Sequence, residues 1–165
     1  MLECMSIGPL LIVWHSRTGA SEQLAAAAAE GAGESACLLR ARDTTPDDLL
    51  GAGGYLFCCP ENLASMSGEM KEMFDRCYYP VLGRIEGRPY ATVIAAGSDG
   101  EGAQRQVDRI ATGWRLKRVT DPWIVMMHAQ EPAEILAPKA IDTQDRERAL
   151  ELGAALAEGI ALGIF

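Results

Sequence analysis

Short, continuous apolar runs recur along the chain, and a polar or helix-forming segment follows each one. Runs of this kind are typical of strands that lie buried on both faces of a parallel sheet. They predict five strands, at residues 9–14, 36–39, 54–59, 90–96 and 123–127. Pro60 is expected to close the third strand, because proline cannot donate a hydrogen bond to a central ladder.

The segments between the runs predict helices. The alanine run at residues 25–29 indicates a first helix that stops at Gly31 and Gly33, which suit a C-terminal cap. A threonine followed by proline at residues 45–46 starts a short second helix. Further helices are predicted at residues 67–76, between residue 102 and Arg115, and at residues 142–160, whereas residues 129–141 carry no clear element.

Five strands that alternate with helices predict an α/β fold with a parallel sheet, right-handed crossovers and both faces covered. This is a three-layer, doubly wound arrangement. No linker or repeat interrupts the pattern, and 165 residues is the length of one ordinary domain. Residues 1–165 are therefore predicted to form a single domain.

Composition and charge narrow the function classes. The net charge is −8 and no basic patch is visible, which argues against a nucleic-acid partner. The five cysteines are odd in number and lack metal-ligand spacing, so we expect reduced thiols, including Cys4, and no metal site. Residues 1–6 lack a basic stretch leading into an apolar one, and no run has membrane-spanning length. A cytoplasmic protein without a membrane partner is expected.

The candidate chemistry lies in the loops after strands one, three and four. In a doubly wound sheet, ligands bind beyond the carboxyl ends of the strands. The first loop carries three hydroxyl side chains, Ser16, Thr18 and Ser21, and leads into the start of a helix. A helix start of this kind binds anions, and the hydroxyls can donate to a phosphate. One hydroxyl would suffice to cap the helix, so three favour a phosphate site.

This first loop resembles the (Ser/Thr)-x-Thr-Gly-x-(Ser/Thr) phosphate loop of the flavodoxin family. Its residues are Ser16, Arg17, Thr18, Gly19, Ala20 and Ser21. The likeness in strand order and loop position extends from Leu10 to Ile160. The resemblance implies a five-stranded sheet of order 2-1-3-4-5. It also implies FMN, with its phosphate in the first loop and its isoalloxazine ring between the second and third loops.

The resemblance also assigns the other two loops to the flavin. The second loop contributes Pro60, Glu61, Asn62, Leu63 and Ala64, and the third contributes Gly97, Ser98, Asp99 and Gly100. The plain alternative is that both are surface turns, as many glycine-rich loops are. Their place at the predicted ligand edge favours the flavin.

The second and third loops depart from flavodoxins because neither contains Phe, Tyr or Trp. Electron-carrying members of that family clamp the ring between aromatic side chains. An unclamped ring resembles the branch of NAD(P)H-dependent FMN and quinone reductases, which implies an oxidoreductase that accepts hydride from NAD(P)H and reduces a quinone or flavin. No catalytic side chain is assigned, since the cofactor supplies the reactive centre.

Several alternatives remain open. The chain is either such a reductase, a one-electron carrier between protein partners, or a flavin-free descendant of the fold. Another subunit could cover the ring, and residues 78–82 predict a homodimer contact. His15 and His128 follow strands at the ligand edge and either exchange protons or hold structural hydrogen bonds. Phosphatase, receiver and nucleotide-hydrolase patterns are missing from the first loop.

Overall fold

The computed structural model describes residues 7–165, so the prediction of a reduced Cys4 lies outside the described residues. Within this range, seven strands form one sheet. They are β1 (Leu10–Trp14), β2 (Ala36–Arg40), β3 (Gly54–Asn62), β4 (Ser65–Met66), β5 (Pro89–Ala96), β6 (Lys117–Arg118) and β7 (Trp123–Met126). The α-helices are α1 (Ala20–Ala32), α2 (Pro46–Gly51), α3 (Gly68–Val81), α4 (Glu101–Gly113), α5 (Pro132–Leu136) and α6 (Thr143–Leu162).

The sheet is mainly parallel, as the apolar runs predict. Its main path is β2-β1-β3-β5-β6, while β7 pairs with β5 and β4 pairs antiparallel with β3. All five predicted strands form and the parallel α/β sheet is confirmed, but among the described residues the sheet has seven strands and the main path 2-1-3-5-6, in place of the expected five-stranded order 2-1-3-4-5. The sheet also contains β4 and β6, which are only two residues long each. Strands this short leave no apolar run in the sequence.

The third strand does not end at Pro60. It continues to Asn62, because the backbone N–H of Ser67 donates to the carbonyl of Pro60 at 3.1 Å and the strand then turns into β4. Proline has no backbone N–H to donate, but its carbonyl oxygen can still accept this hydrogen bond. This extension places residues 60–64 above the sheet edge as a hairpin.

Helices cover both faces of the sheet. Along β1, Leu11 and Val13 face the core shared with α3 and α4, whereas Leu10 and Ile12 face the core shared with α1 and α6. The alternation follows from the period of two along a strand. Within residues 7–165, no helix combines the length and apolar character that crossing a membrane requires.

Helices α1 and α6 pack closely through small residues. A Cβ on Gly31 would lie 1.9 Å from the carbonyl oxygen of Leu150, and one on Gly153 would lie 1.9 Å from that of Ala28. Gly31 therefore does not stop the first helix; it lies inside α1, at the crossing. The helix ends at Gly33, whose positive φ of 65° is a backbone angle that glycine adopts readily.

The third helix is longer than predicted and includes most of the segment assigned to a dimer contact. It runs to Val81, because Val81 is buried and Tyr78 stacks on Trp114 with ring centroids 5.7 Å apart. Tyr79 and Leu82 remain exposed, at 78% and 42% of their surface. A homodimer contact through these two side chains stays a prediction.

Candidate functional site

A cleft of about 310 Å³ lies beyond the carboxyl ends of β1, β3 and β5. It is bounded by the three loops that the sequence singles out. Twelve of the fifteen predicted site residues line it: Ser16, Arg17, Thr18, Ala20, Ser21, Pro60, Glu61, Asn62, Leu63, Ala64, Gly97 and Ser98. Gly19, Asp99 and Gly100 belong to the same loops but shape their turns instead of lining the cleft.

The first loop forms a tight turn into the N-terminus of α1. Gly19 has a φ of 110°, which side-chain-bearing residues rarely adopt, and its N–H donates to Oγ of Ser16 at 3.0 Å. The hydroxyl of Ser16 therefore already serves the fold. By contrast, Oγ of Ser21 is buried on the cleft wall and has no hydrogen-bond partner among residues 7–165.

A buried hydroxyl without a partner is costly, and such groups in folded proteins call for an explanation. Here Ser21 lies in the first turn of a 13-residue helix, where the backbone dipole attracts anions. A phosphate in the cleft would accept from this hydroxyl and from the adjoining amides. The residues present therefore fit the phosphate of FMN.

Two cations line the cleft among the described residues, Arg17 and Lys139. Arg17 is exposed. The ammonium of Lys139 instead donates to three carbonyls around the end of α5, those of Glu134, Ile135 and Ala137, at 2.5, 3.2 and 2.6 Å. Arg17 is thus the cation free to approach an anion in the first loop.

The connection between β7 and α6 forms one side of the cleft, which no sequence pattern predicted. It contributes Met127, Ala129, Ile135 and Lys139 to the cleft. The backbone N–H of Lys139 donates to the carbonyl of Thr18 at 2.8 Å, which ties this segment to the first loop. A proline that can begin a helix, Pro132, is the one local signal in the segment.

Gln23 in α1 bonds this segment at two points. Its amide nitrogen donates to the carbonyl of Lys139 at 2.7 Å, and its amide oxygen accepts from the N–H of Ile141 at 3.1 Å. These partners are 116 and 118 residues away in sequence. Local patterns carry no information about bonds of that range.

The second loop is the turn of the β3–β4 hairpin. Leu63 and Ala64 have φ values of 52° and 63° between the paired residues Asn62 and Ser65. Two consecutive positive φ values define the turn type that asparagine and glycine normally supply. Leu63 is also fully exposed at the lip of the cleft. The hairpin is therefore strained and holds an apolar side chain in solvent.

Glu61 joins the second loop to the third. Its Oε1 accepts from the N–H of Gly100 at 2.9 Å, and its Oε2 accepts from the N–H of Ala103 at 3.2 Å. The carboxylate thus satisfies the first turn of α4 and opposes the positive end of that helix. Asp99 accepts from the N–H of Glu101 at 3.2 Å and supports the same turn.

Neither histidine lines the cleft. His15 lies next to the first loop, with Nε2 3.9 Å from a carboxylate oxygen of Glu69, and His128 is exposed. Burial lowers the pKa of His15, which outweighs the opposing effect of Glu69, and Arg40 lowers it further. The imidazole is therefore neutral near pH 7.

The buried thiols are unreactive. Cys58, Cys59 and Cys77 are buried, and burial raises the pKa of Cys59 to about 12. Thiolates are the reactive form, so these side chains act as core residues. Among residues 7–165 there is no cluster of three or more potential metal-ligating side chains.

Comparisons with known proteins agree with this geometry. Residues 43–131 match the model of the family described as NADPH-dependent FMN reductase. A flavodoxin from Aquifex aeolicus (strain VF5) is 27% identical, over 94% of this chain and 89% of the relative. The family match includes the second and third loops, whereas the first loop lies before it.

Solved structures show the same fold. A flavodoxin from the domain Archaea superposes with a TM-score of 0.74 at 17% identity, over 92% of this chain and 98% of that chain. An NADPH-quinone reductase from P. pentosaceus superposes with a TM-score of 0.63 at 15% identity, over 90% and 97%.

The family match spans more than half of the 165 residues. With the flavodoxin relative, it indicates FMN as the cofactor and a redox function. The chain therefore belongs to the NADPH-dependent FMN reductase family and has the flavodoxin-like α/β fold.

Proposed function

We propose that this protein is an oxidoreductase that uses FMN, accepts hydride from NAD(P)H and passes electrons to a quinone or a flavin. The observation that carries the proposal is the lining of the cleft. Among the residues in the range 7–165 that line it, none is Phe, Tyr or Trp. A flavin ring held there would keep one face open to a second small molecule.

The first loop would hold the phosphate. Ser21 and Thr18 would donate their hydroxyls, while Ser16 and Gly19 keep the turn in shape. Arg17 would add a positive charge at the surface. Hydrogen bonds to a charged group are worth about 1.5–3 kcal/mol each, so this loop would supply much of the binding free energy.

The opposite end of the cleft would orient the ring. Ala95, Ala96 and Ala129 are buried and provide an apolar floor. Leu63 and Ile135 stand at the rim, where they would exclude water from the reacting face once a second molecule enters. Hydride acceptance and electron donation are the chemistry that bound FMN supplies.

A second candidate is a one-electron carrier that works between protein partners. The observation that favours it is the likeness to the Aquifex aeolicus flavodoxin over 94% of this chain. We also propose that residues 1–165 act as one domain in either role.

Anaerobic mixing distinguishes the two. The FMN-loaded protein is mixed with NADPH or NADH, and the oxidised flavin band is followed by absorbance. We expect rapid bleaching by at least one nucleotide and recovery of the band on addition of a quinone. If neither nucleotide bleaches the band but a protein reductase does, the enzyme proposal is wrong and the carrier takes its place.

A further inference from the structure

Side-chain hydrogen bonds connect helix α4 to both strands of the β3–β4 hairpin. Besides the two bonds of Glu61 to the first turn of α4, Gln106 bonds the far strand of the hairpin. Its amide oxygen accepts from Oγ of Ser65 at 2.9 Å and from the N–H of Met66 at 2.8 Å. Four hydrogen bonds therefore connect one helix to a six-residue hairpin.

The backbones of α4 and the hairpin also approach each other closely. A Cβ on Gly102 would lie 2.2 Å from the carbonyl oxygen of Ala64 and 3.3 Å from Oε2 of Glu61. Only a residue without a side chain allows the hairpin to approach α4 this closely. The contact falls at Ala64, one of the two strained positions of the turn.

The strained turn needs such support. Left-handed backbone at residues other than glycine persists only where the surroundings over-determine it. Leu63 makes no contribution of its own to the core, because its side chain is fully exposed. The hydrogen bonds of Glu61 and Gln106 on either side support the turn, together with the β3–β4 pairing and the close approach of Gly102 to Ala64.

We propose that Glu61 and Gln106 are positioning residues that fix the ring end of the flavin cleft. They act through the hairpin and through the third loop, and their side chains do not need to touch the flavin. This inference rests on the proposed function, in which the ring lies between these two loops. It assigns to Gln106, a residue outside the cleft, a role in cofactor binding.

The test compares affinities for FMN and riboflavin by fluorescence titration of the flavin-free protein. Glu61→Gln keeps one carboxamide oxygen and so retains only one of the two bonds to α4. Gln106→Leu removes both bonds to the hairpin. Because the two flavins share the ring, each variant should weaken both by the same factor, about tenfold for the loss of bonds of this kind. The ratio of the two affinities should not change.

Matched controls separate positioning from charge and from general destabilisation. Glu101→Gln removes a carboxylate from the same helix turn. Within the described part of the chain, Glu101 pairs only with Arg105, at 3.8 Å, so both affinities should stay within about twofold. Gln106→Glu keeps acceptor oxygens for Ser65 and Met66 and should restore the affinity that Gln106→Leu loses. Circular dichroism at the titration temperature confirms that each variant is folded.

The outcomes are distinguishable. Parallel loss of both flavins in Glu61→Gln and Gln106→Leu, with recovery in Gln106→Glu, supports the inference. Unchanged affinities in folded variants overturn it and leave the proposed function standing. A fall in FMN affinity alone also overturns it, because that would place Glu61 and Gln106 at the phosphate end. If the unaltered protein binds neither flavin, the proposed function fails and this inference fails with it.

Discussion

Replacing Ser21 with alanine tests the phosphate site through two effects of opposite sign. Ser21 is 1% exposed, and its hydroxyl has no hydrogen-bond partner among residues 7–165. In the flavin-free protein it is therefore a buried polar group that destabilises the fold. In the FMN complex it would become a donor to a charged oxygen.

The magnitudes follow from these two roles. An unsatisfied buried polar group costs about 1–3 kcal/mol. Its removal should raise the free energy of unfolding of the flavin-free protein by about 1 kcal/mol, or the melting temperature by about 2–4 °C for a chain of this size. Loss of a charge-assisted hydrogen bond should weaken FMN binding about 10- to 100-fold. Riboflavin, which lacks the phosphate, should bind as before.

Ser16→Ala is the matched control in the same loop. Oγ of Ser16 accepts from the N–H of Gly19, so this change should lower the melting temperature of the flavin-free protein by a similar amount. Thermal melts and fluorescence titrations of both variants complete the comparison. A lower melting temperature for Ser21→Ala, or a loss of riboflavin affinity as large as the loss for FMN, would refute a phosphate contact at Ser21.

Three further predictions concern stability. Burial lowers the pKa of His15, so the folded state binds fewer protons than the unfolded state. The free energy of unfolding should therefore fall as the pH drops through about 6.5. Urea melts at pH 7.5 and 5.5 should show that His15→Gln reduces this loss. Ala64→Gly should stabilise the protein by about 1 kcal/mol, since it relieves a left-handed φ of 63°, and a decrease in the urea midpoint would argue against strain there. Gly153→Ala should destabilise the protein by about 1–3 kcal/mol despite its better helix propensity, because the new Cβ meets the carbonyl of Ala28. Gly68 has open space around it, so Gly68→Ala should have little effect on thermal melts.

The sequence predicted those parts of the fold that depend on local pattern. The run Leu10–Trp14 appears as a continuous apolar stretch, and the threonine cap and proline that begin α2 are adjacent in sequence. The first loop was also predictable, because its hydroxyls and Gly19 are adjacent in sequence. These signals need no knowledge of distant residues.

Other features depend on partners that are distant in sequence or on strain. The turn at Leu63 and Ala64 lacks the asparagine or glycine that marks such hairpins, so nothing predicted β4. The bond from Lys139 to Thr18 joins segments more than a hundred residues apart. Glu61 lines the cleft as part of the second loop, but nothing local predicted that its carboxylate would bond the N-terminus of α4.

Titration of the unaltered flavin-free protein with FMN and with riboflavin measures how much the phosphate contributes to binding. If the first loop holds the phosphate through several charge-assisted hydrogen bonds, FMN should bind at least about 100-fold more tightly than riboflavin. Equal affinities for the two flavins would contradict the phosphate site, and no binding of FMN would contradict a flavin cofactor in this cleft.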